Sequence, residues 1–184
     1  MLVRLLLVTG LPATGKTTLA RLLAQRFAVV LLAKDTVKEP LLEVLGARDA
    51  AASRRLSDAS FAVLFALARE QLRMGSSVLL EGNFRPVQHA PALNALPASV
   101  PPGAAACCAQ VLCTLAEPLR RVRLALRAHD GTRHRGHRDT DGLGVAAPQS
   151  GFFELPGVRF LHDGGAPQAT QRLVDALERW WAQG

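Results

Sequence analysis

Residues 7–23 read LVTGLPATGKTTLARLL. An apolar run leads into a stretch with two glycines and a proline. Lys16 and two threonines follow, and then a helix-like apolar pattern. The lysine therefore sits in a loop between two segments that both look buried. Gly10 to Thr17 fits the spacing G-x-x-x-x-G-K-[ST] of a phosphate-binding loop. The chemistry explains the pattern. Glycines let the backbone curl so that successive N–H groups face inward around a phosphate. A helix starting near Gly15 adds the positive end of its dipole. Lys16 can reach the β- and γ-phosphates, and the Thr17 hydroxyl can ligate Mg²⁺. The cradle expected from this spacing comprises Gly10, Pro12, Ala13, Thr14, Gly15, Lys16, Thr17 and Thr18. A chance turn is the competing reading, and the strand-like and helix-like flanks count against it.

Working outward, five short apolar segments read as strands: Leu2–Val8, Ala28–Ala33, Ser77–Glu81, Cys107–Thr114 and Val158–His162. They lack clean alternation, as parallel strands covered on both faces do. Helical patterns lie between them at Gly15–Arg26, Pro40–Leu45, Ser57–Arg73, Pro118–Ala128 and Pro167–Trp181. Pro86–Gly103 reads as a short helix and a loop, and Gly136–Gly157 as a mobile connection before the last strand. Strands alternating with helices predict an α/β fold, with a five-stranded parallel sheet flanked by helices. With the loop at residues 10–17, the expected class is the P-loop NTPase fold. The expected layout is one domain over 1–184, with an arginine-rich lid at about 118–142.

Composition narrows the function classes. At 184 residues and 49% hydrophobic, the chain suits one sizeable core. No apolar run approaches the roughly 18 residues of a membrane span. Met1–Val8 lacks a signal-peptide cleavage pattern and reads as a buried strand. Cys107, Cys108 and Cys113 are odd in number and lie in an apolar stretch, which points to reduced thiols in a cytoplasmic protein. With His129, His134 and His137 they match no common zinc spacing. There is no tyrosine, which argues against a base-stacking nucleic-acid platform. The net charge of +7 concentrates between Arg120 and Arg138. Such a cluster attracts phosphates, on a nucleotide or on nucleic acid, or forms a solvated helix face. No obligate protein partner is evident.

Four features bear on the chemistry. Asp35 follows the second strand, where a carboxylate faces the ligand crevice and can take a proton from an attacking hydroxyl. The alternative is a helix N-cap, against which Pro40 weighs, since it would fall past the first turn. Glu81 ends the third strand, where a carboxylate can hold Mg²⁺ through water; otherwise it is a rim residue. Asn83 and Arg85 come next, and the acceptor is expected to enter between them, the second-strand loop and the region after Ser57. Arg120, Arg123 and Arg127 share a helix face, and Arg133 and Arg135 lie in the following turn. Arg123, Arg127 and Arg133 are candidates to neutralise charge on a moving phosphoryl group.

On these motifs the chain resembles a group of P-loop kinases of the AAA-like ATPase kind, related to zeta-toxin, chloramphenicol phosphotransferase and polynucleotide 5′-kinase domains. The resemblance rests on GLPATGKTTLA (10–20), KDTVKEPLLEVLG (34–46), VLLEGNF (78–84), RHRGHRD (133–139) and the terminal strand–helix unit. It covers nearly the whole chain. It implies that Asp35, in a D-x-x-K setting, is the base and that Lys38 contacts the substrate. It also implies that the lid arginines Arg123, Arg127 and Arg133 contact ATP. The relatives' lid reads R-H-P-G-H-x-D; Arg135 replaces the proline here, while His134, His137 and Asp139 match. The expected activity is transfer of the γ-phosphoryl of MgATP to a hydroxyl of a small molecule or a nucleic-acid 5′ end. The alternative is a regulatory NTPase that hydrolyses ATP to switch conformation.

Overall fold

The structure is a computed structural model and describes residues 1–128 and 150–183. Strands β1 (Leu2–Gly10), β2 (Val30–Ala33), β3 (Val78–Gly82), β4 (Ala105–Thr114) and β5 (Val158–Asp163) alternate with helices. The helices are α1 (Lys16–Phe27), α2 (Lys34–Leu45), α3 (Ala50–Arg73), α4 (Pro86–Ala95), α5 (Glu117–Ala128) and α6 (Ala169–Ala182). A 3₁₀ turn at Leu96–Ser99 follows α4. All strand pairs are parallel, in the order β2-β3-β1-β4-β5. The expected five-stranded parallel α/β sheet is therefore the observed one.

Successive side chains of β1 point to opposite faces, and both faces are covered. Leu5 and Leu7 join Phe61, Leu64, Phe65 and Leu72 of α3 in one apolar cluster. Leu6 and Val8 join Leu19 and Leu23 of α1 and Leu173, Leu177 and Trp180 of α6 in the other. Cys108 belongs to the first cluster and Cys107 packs against the second, as adjacent strand residues must; all three cysteines are free. No helix among the described residues is long and apolar enough to cross a membrane.

Most elements shift by a residue or two at their ends, and four differences from expectation have a clear physical cause. Ala28 is the left-handed C-cap of α1 (φ 50°), so β2 begins only at Val30. Helix α2 starts at Lys34 and runs through Pro40 instead of starting there. The bond lost is the one to the Thr36 carbonyl; both residues are exposed, so water can satisfy that oxygen. Helix α3 starts at Ala50, where Asp49 accepts a hydrogen bond from the Ala52 N–H at 2.7 Å. Its first turns expose Ala51, Arg54 and Arg55, which hides them from an apolar-stripe reading.

The fourth difference concerns the connection before β5. Residues 136–149 lie outside the described residues, but 150–157 are not a loose tether. Phe153 and Leu155 are core residues. The buried Gln110 of β4 holds Phe153 at both ends. Its amide donates to the Phe153 carbonyl at 3.0 Å and its carbonyl accepts from the Phe153 N–H at 2.8 Å.

Candidate active site

The carboxyl ends of β1, β3 and β4 form a crevice where strand order switches direction, the usual ligand position in an open parallel sheet. The loop from Gly10 to Gly15 fills its floor. Gly10 (φ 146°), Ala13 (φ 68°) and Gly15 (φ 92°) all take positive φ. A Cβ on Gly10 would meet the Cys113 carbonyl oxygen at 2.3 Å, so only glycine fits against β4. Ala13 pays a strain cost that glycine would not, the kind of backbone outlier that clusters at ligand sites. Gly15 is the N-cap of α1 and supplies no side-chain cap, so the first N–H groups of α1 face the loop without a capping oxygen.

Lys16 folds back and donates to the Leu11 carbonyl at 3.2 Å, and Thr14 donates to the same oxygen at 2.9 Å. Burial lowers the pKa of Lys16, opposed by the charges of Glu81 and Asp35 and reinforced by Arg127. Glu81 is 3% exposed, and burial raises its pKa; Lys16, Lys34 and a hydrogen bond with Thr17 pull the other way. The fold therefore brings Lys16, Thr17, Glu81, Asp35 and Arg127 within electrostatic reach of one another from four separate elements.

The other expected residues that the structure describes are placed as follows. Asp35 is in the first turn of α2, with Ala33 as the cap, so the N-cap alternative does not hold. The Asp35 carboxylate is 2.9 Å from the Lys34 ammonium and its side chain is 40% exposed. Thr18 is exposed on the first turn of α1. Arg123 reaches back over the loop, 3.9 Å from where a Cβ on Gly15 would lie, and donates to the Gly164 carbonyl at 3.4 Å. Arg120 faces elsewhere and pairs with Glu117 at 2.8 Å. Asn83 and Arg85 line a small cleft with Gly10, Leu11, Pro12 and Ser150. Arg133, His134, Arg135, His137 and Asp139 lie outside the described residues.

Behind the cleft, His89 is buried among Phe61, Phe65 and Phe84, with its ring centroid 4.1 Å from that of Phe61. Its Nδ1 accepts from the Arg85 N–H at 2.8 Å, which fixes the backbone of the cleft wall. Burial and the nearby Arg85 push its pKa down to about 4, so the ring is neutral at pH 7.

Three contributors escape a sequence reading. Gly164, after β5, packs so closely on the loop that a Cβ there would lie 2.8 Å from the Thr14 carbonyl oxygen. Lys34 is buried at the mouth of the site, and Ser53 of α3 accepts a hydrogen bond from Lys38 at 3.1 Å. A signal for the lysines was present. The chain has 22 basic residues, and only Lys16, Lys34 and Lys38 are lysines. All three are buried beside the crevice.

The donor set suits a divalent cation: the Thr17 hydroxyl and the Glu81 carboxylate are both hard oxygens, and Thr17 is near enough to favour the charged form of Glu81. No group of three or more His, Cys, Asp or Glu able to hold a metal occurs among the described residues. A Mg²⁺ at this position would thus complete its shell with phosphate oxygens and water, as the ion prefers.

Fold and loop together define a P-loop nucleotide-binding α/β protein with the architecture of P-loop kinases. The chain belongs to the AAA domain family AAA_33, which it matches over residues 5–141. Among solved structures it is similar to a candidate kinase from Chloroflexus aurantiacus J-10-fl. The two are 28% identical with a TM-score of 0.82, over 96% of this chain and 97% of that one. It shares its fold with APS kinase CysC of Mycobacterium tuberculosis, solved with AMPPNP and APS (17% identity, TM-score 0.61, 96% and 98% covered). A sugar kinase from Janibacter sp. HTCC2649 also has this fold (14% identity, TM-score 0.60, 96% and 95% covered). No protein with a curated description matches significantly.

Proposed function

We propose that this protein is a kinase that transfers the γ-phosphoryl group of MgATP to an alcohol. The observation that carries this reading is that Asp35, in the first turn of α2, lies within charge range of the buried Lys16 and Glu81 at the phosphate loop. A phosphate grip alone would serve any NTPase. A second carboxylate within charge range of that grip is what an acceptor hydroxyl needs. The candidate kinase from Chloroflexus aurantiacus supports the kinase part of this reading.

The triphosphate lies on the N–H groups of Gly10–Thr18 and the N-terminus of α1. Thr17 and Glu81 would hold Mg²⁺, which when bound neutralises phosphate charge. Asp35 accepts the proton of the acceptor hydroxyl as that oxygen bonds to the γ-phosphorus. The bond from the γ-phosphorus to the bridging oxygen breaks, and its electron pair leaves with ADP. Lys16, Arg123 and Arg127 face the charge that spreads over the moving phosphoryl group. Arg133 is assigned the same part by the lid sequence. Asn83, Arg85 and Lys38 border the space left for the acceptor.

The test is ATP consumption with and without added hydroxyl compounds, in the wild type and in Asp35→Asn. The kinase reading expects turnover that depends on the acceptor and is lost in Asp35→Asn, while ATP still binds. Acceptor-independent hydrolysis that survives Asp35→Asn would instead identify an NTPase switch.

A further inference from the structure

The notable feature outside the phosphate loop is the placement of the other two lysines. Lys34 and Lys38 lie one turn apart on α2, on the same face. Both are buried, at 7% exposure, although lysine is almost never fully buried without a reason. The chain otherwise uses arginine for its positive charge. Lys34 lies against Asp35, the assigned base, at 2.9 Å, and the Lys34 charge also reaches Glu81. Lys38 donates to a neutral partner, the Ser53 hydroxyl, at 3.1 Å. Asp35 is close enough to favour the charged form of Lys38, yet burial and Lys34 outweigh it and lower the pKa to about 8. Two buried lysines thus lie beside Asp35, a carboxylate that the reaction itself requires.

Packing alone does not call for this arrangement. A leucine or methionine at either position would fill the same space without the desolvation cost of a charge. A pair of partly compensated ammoniums beside the base is instead suited to an incoming anion.

We infer that Lys34 and Lys38 form an anion subsite, and that the alcohol phosphorylated here carries a carboxylate or phosphate group that docks on them. This rests on the kinase reading and names its substrate class. The anionic group sits on the α2–α3 side of Asp35, and the hydroxyl is presented toward Lys16. A neutral polyol or a neutral drug-like alcohol would leave Lys38 with only the neutral Ser53 hydroxyl and Lys34 drawing on the base itself, and the site selects against it for that reason.

The small number of lysines allows a direct test. Protein grown with ¹³C-lysine gives three sets of ε-methylene NMR signals, assigned with Lys34→Met, Lys38→Met and Lys16→Met. Saturation with MgADP first fills the phosphate loop, and the Lys16 signal should move. Inorganic phosphate, acetate or, as an ionic-strength control, chloride is then titrated in at millimolar concentration. The expected result is that phosphate, acetate or both shift the Lys34 and Lys38 signals while chloride does not. A response to phosphate alone indicates a phosphorylated alcohol, and a response to acetate a hydroxy acid. In Lys38→Met the remaining Lys34 response should weaken at least about tenfold, and Lys38→Arg should restore it.

The inference is overturned if Lys34 and Lys38 ignore both anions while Lys16 responds to MgADP. Failure of Lys16 to respond to MgADP would instead sink the kinase reading, so the two failures are distinguishable.

Discussion

Gly10 and Cys113 stand so close that the glycine has no room for a side chain: a Cβ would lie 2.3 Å from the Cys113 carbonyl oxygen. The phosphate loop is pressed directly onto β4, and its φ of 146° is open only to glycine. Gly10→Ala should therefore push the loop off the sheet. The expected loss is more than about 2 kcal/mol of stability, with ATP binding abolished. Denaturant unfolding and nucleotide titration would check it; a variant that still binds ATP normally would show that the loop tolerates the shift.

Lys16 illustrates a site residue whose burial is a cost. Its ammonium is desolvated and has a lowered pKa in the absence of ligand. Lys16→Met should leave the ligand-free protein as stable as the wild type or more so. The wild type should gain about 2.7 kcal/mol at ATP concentrations a hundredfold above Kd, and the variant should gain almost nothing. Thermal unfolding with and without MgATP measures both.

Glu81 is buried next to the phosphate loop, where Lys16, Lys34 and Thr17 favour its charged form against burial. Glu81→Gln keeps the shape and removes the anion. Affinity for MgATP should fall about 10- to 100-fold, whereas affinity for ATP in the presence of a chelator should hardly change. Equal losses under both conditions would mean that Glu81 supports the loop and does not hold the cation.

The pKa of Lys38 is lowered from 10.5 to about 8. Between these values the unfolded chain binds more protons at this group than the folded one, so its contribution to stability rises with pH across that window. Below pH 8 the group is charged in both states and the burial cost is fully present. Wild-type stability should therefore gain on Lys38→Met as pH is raised from 8 toward 10.5. Over the same range the KM for the acceptor should rise, because the ammonium is being lost. Urea unfolding and acceptor saturation curves on a pH series provide the two readings.

Gln110 bonds the Phe153 N–H and carbonyl from inside the sheet. Gln110→Leu leaves the buried N–H of Phe153 unpaired, and Arg159 still bonds the carbonyl at 3.0 Å. The expected cost is about 1–3 kcal/mol of stability, with little change in ATP affinity, since neither residue faces the phosphate loop. A denaturant titration set beside a nucleotide titration separates these effects.

Much of the architecture was legible because its determinants are local. Short apolar runs, spaced by amphipathic segments, specify parallel strands and their covering helices, and the order of elements follows. The loop at residues 10–17 was legible for the same reason, since glycine conformations and a single lysine act within a few residues. Reading failed where a local rule met a tertiary context. Pro40 argues for a helix boundary, but it lies on the exposed side of α2, where water can take the place of its missing bond. The small and charged residues that open α3 carry no stripe, yet Asp49 caps them.

The chain alone established that a phosphate grip lies between a buried strand and a helix, with Asp35 and Glu81 at the ends of two other strands. It did not establish what those acids meet. The seating of Gly164 against Thr14, the Lys38–Ser53 bond and the clamp of Gln110 on Phe153 all join residues distant in sequence. Such contacts arise only once the strands take the order β2-β3-β1-β4-β5. Local pattern sets which segments are strands and helices, whereas burial, and with it the charge balance around each lysine, is a property of the assembled sheet.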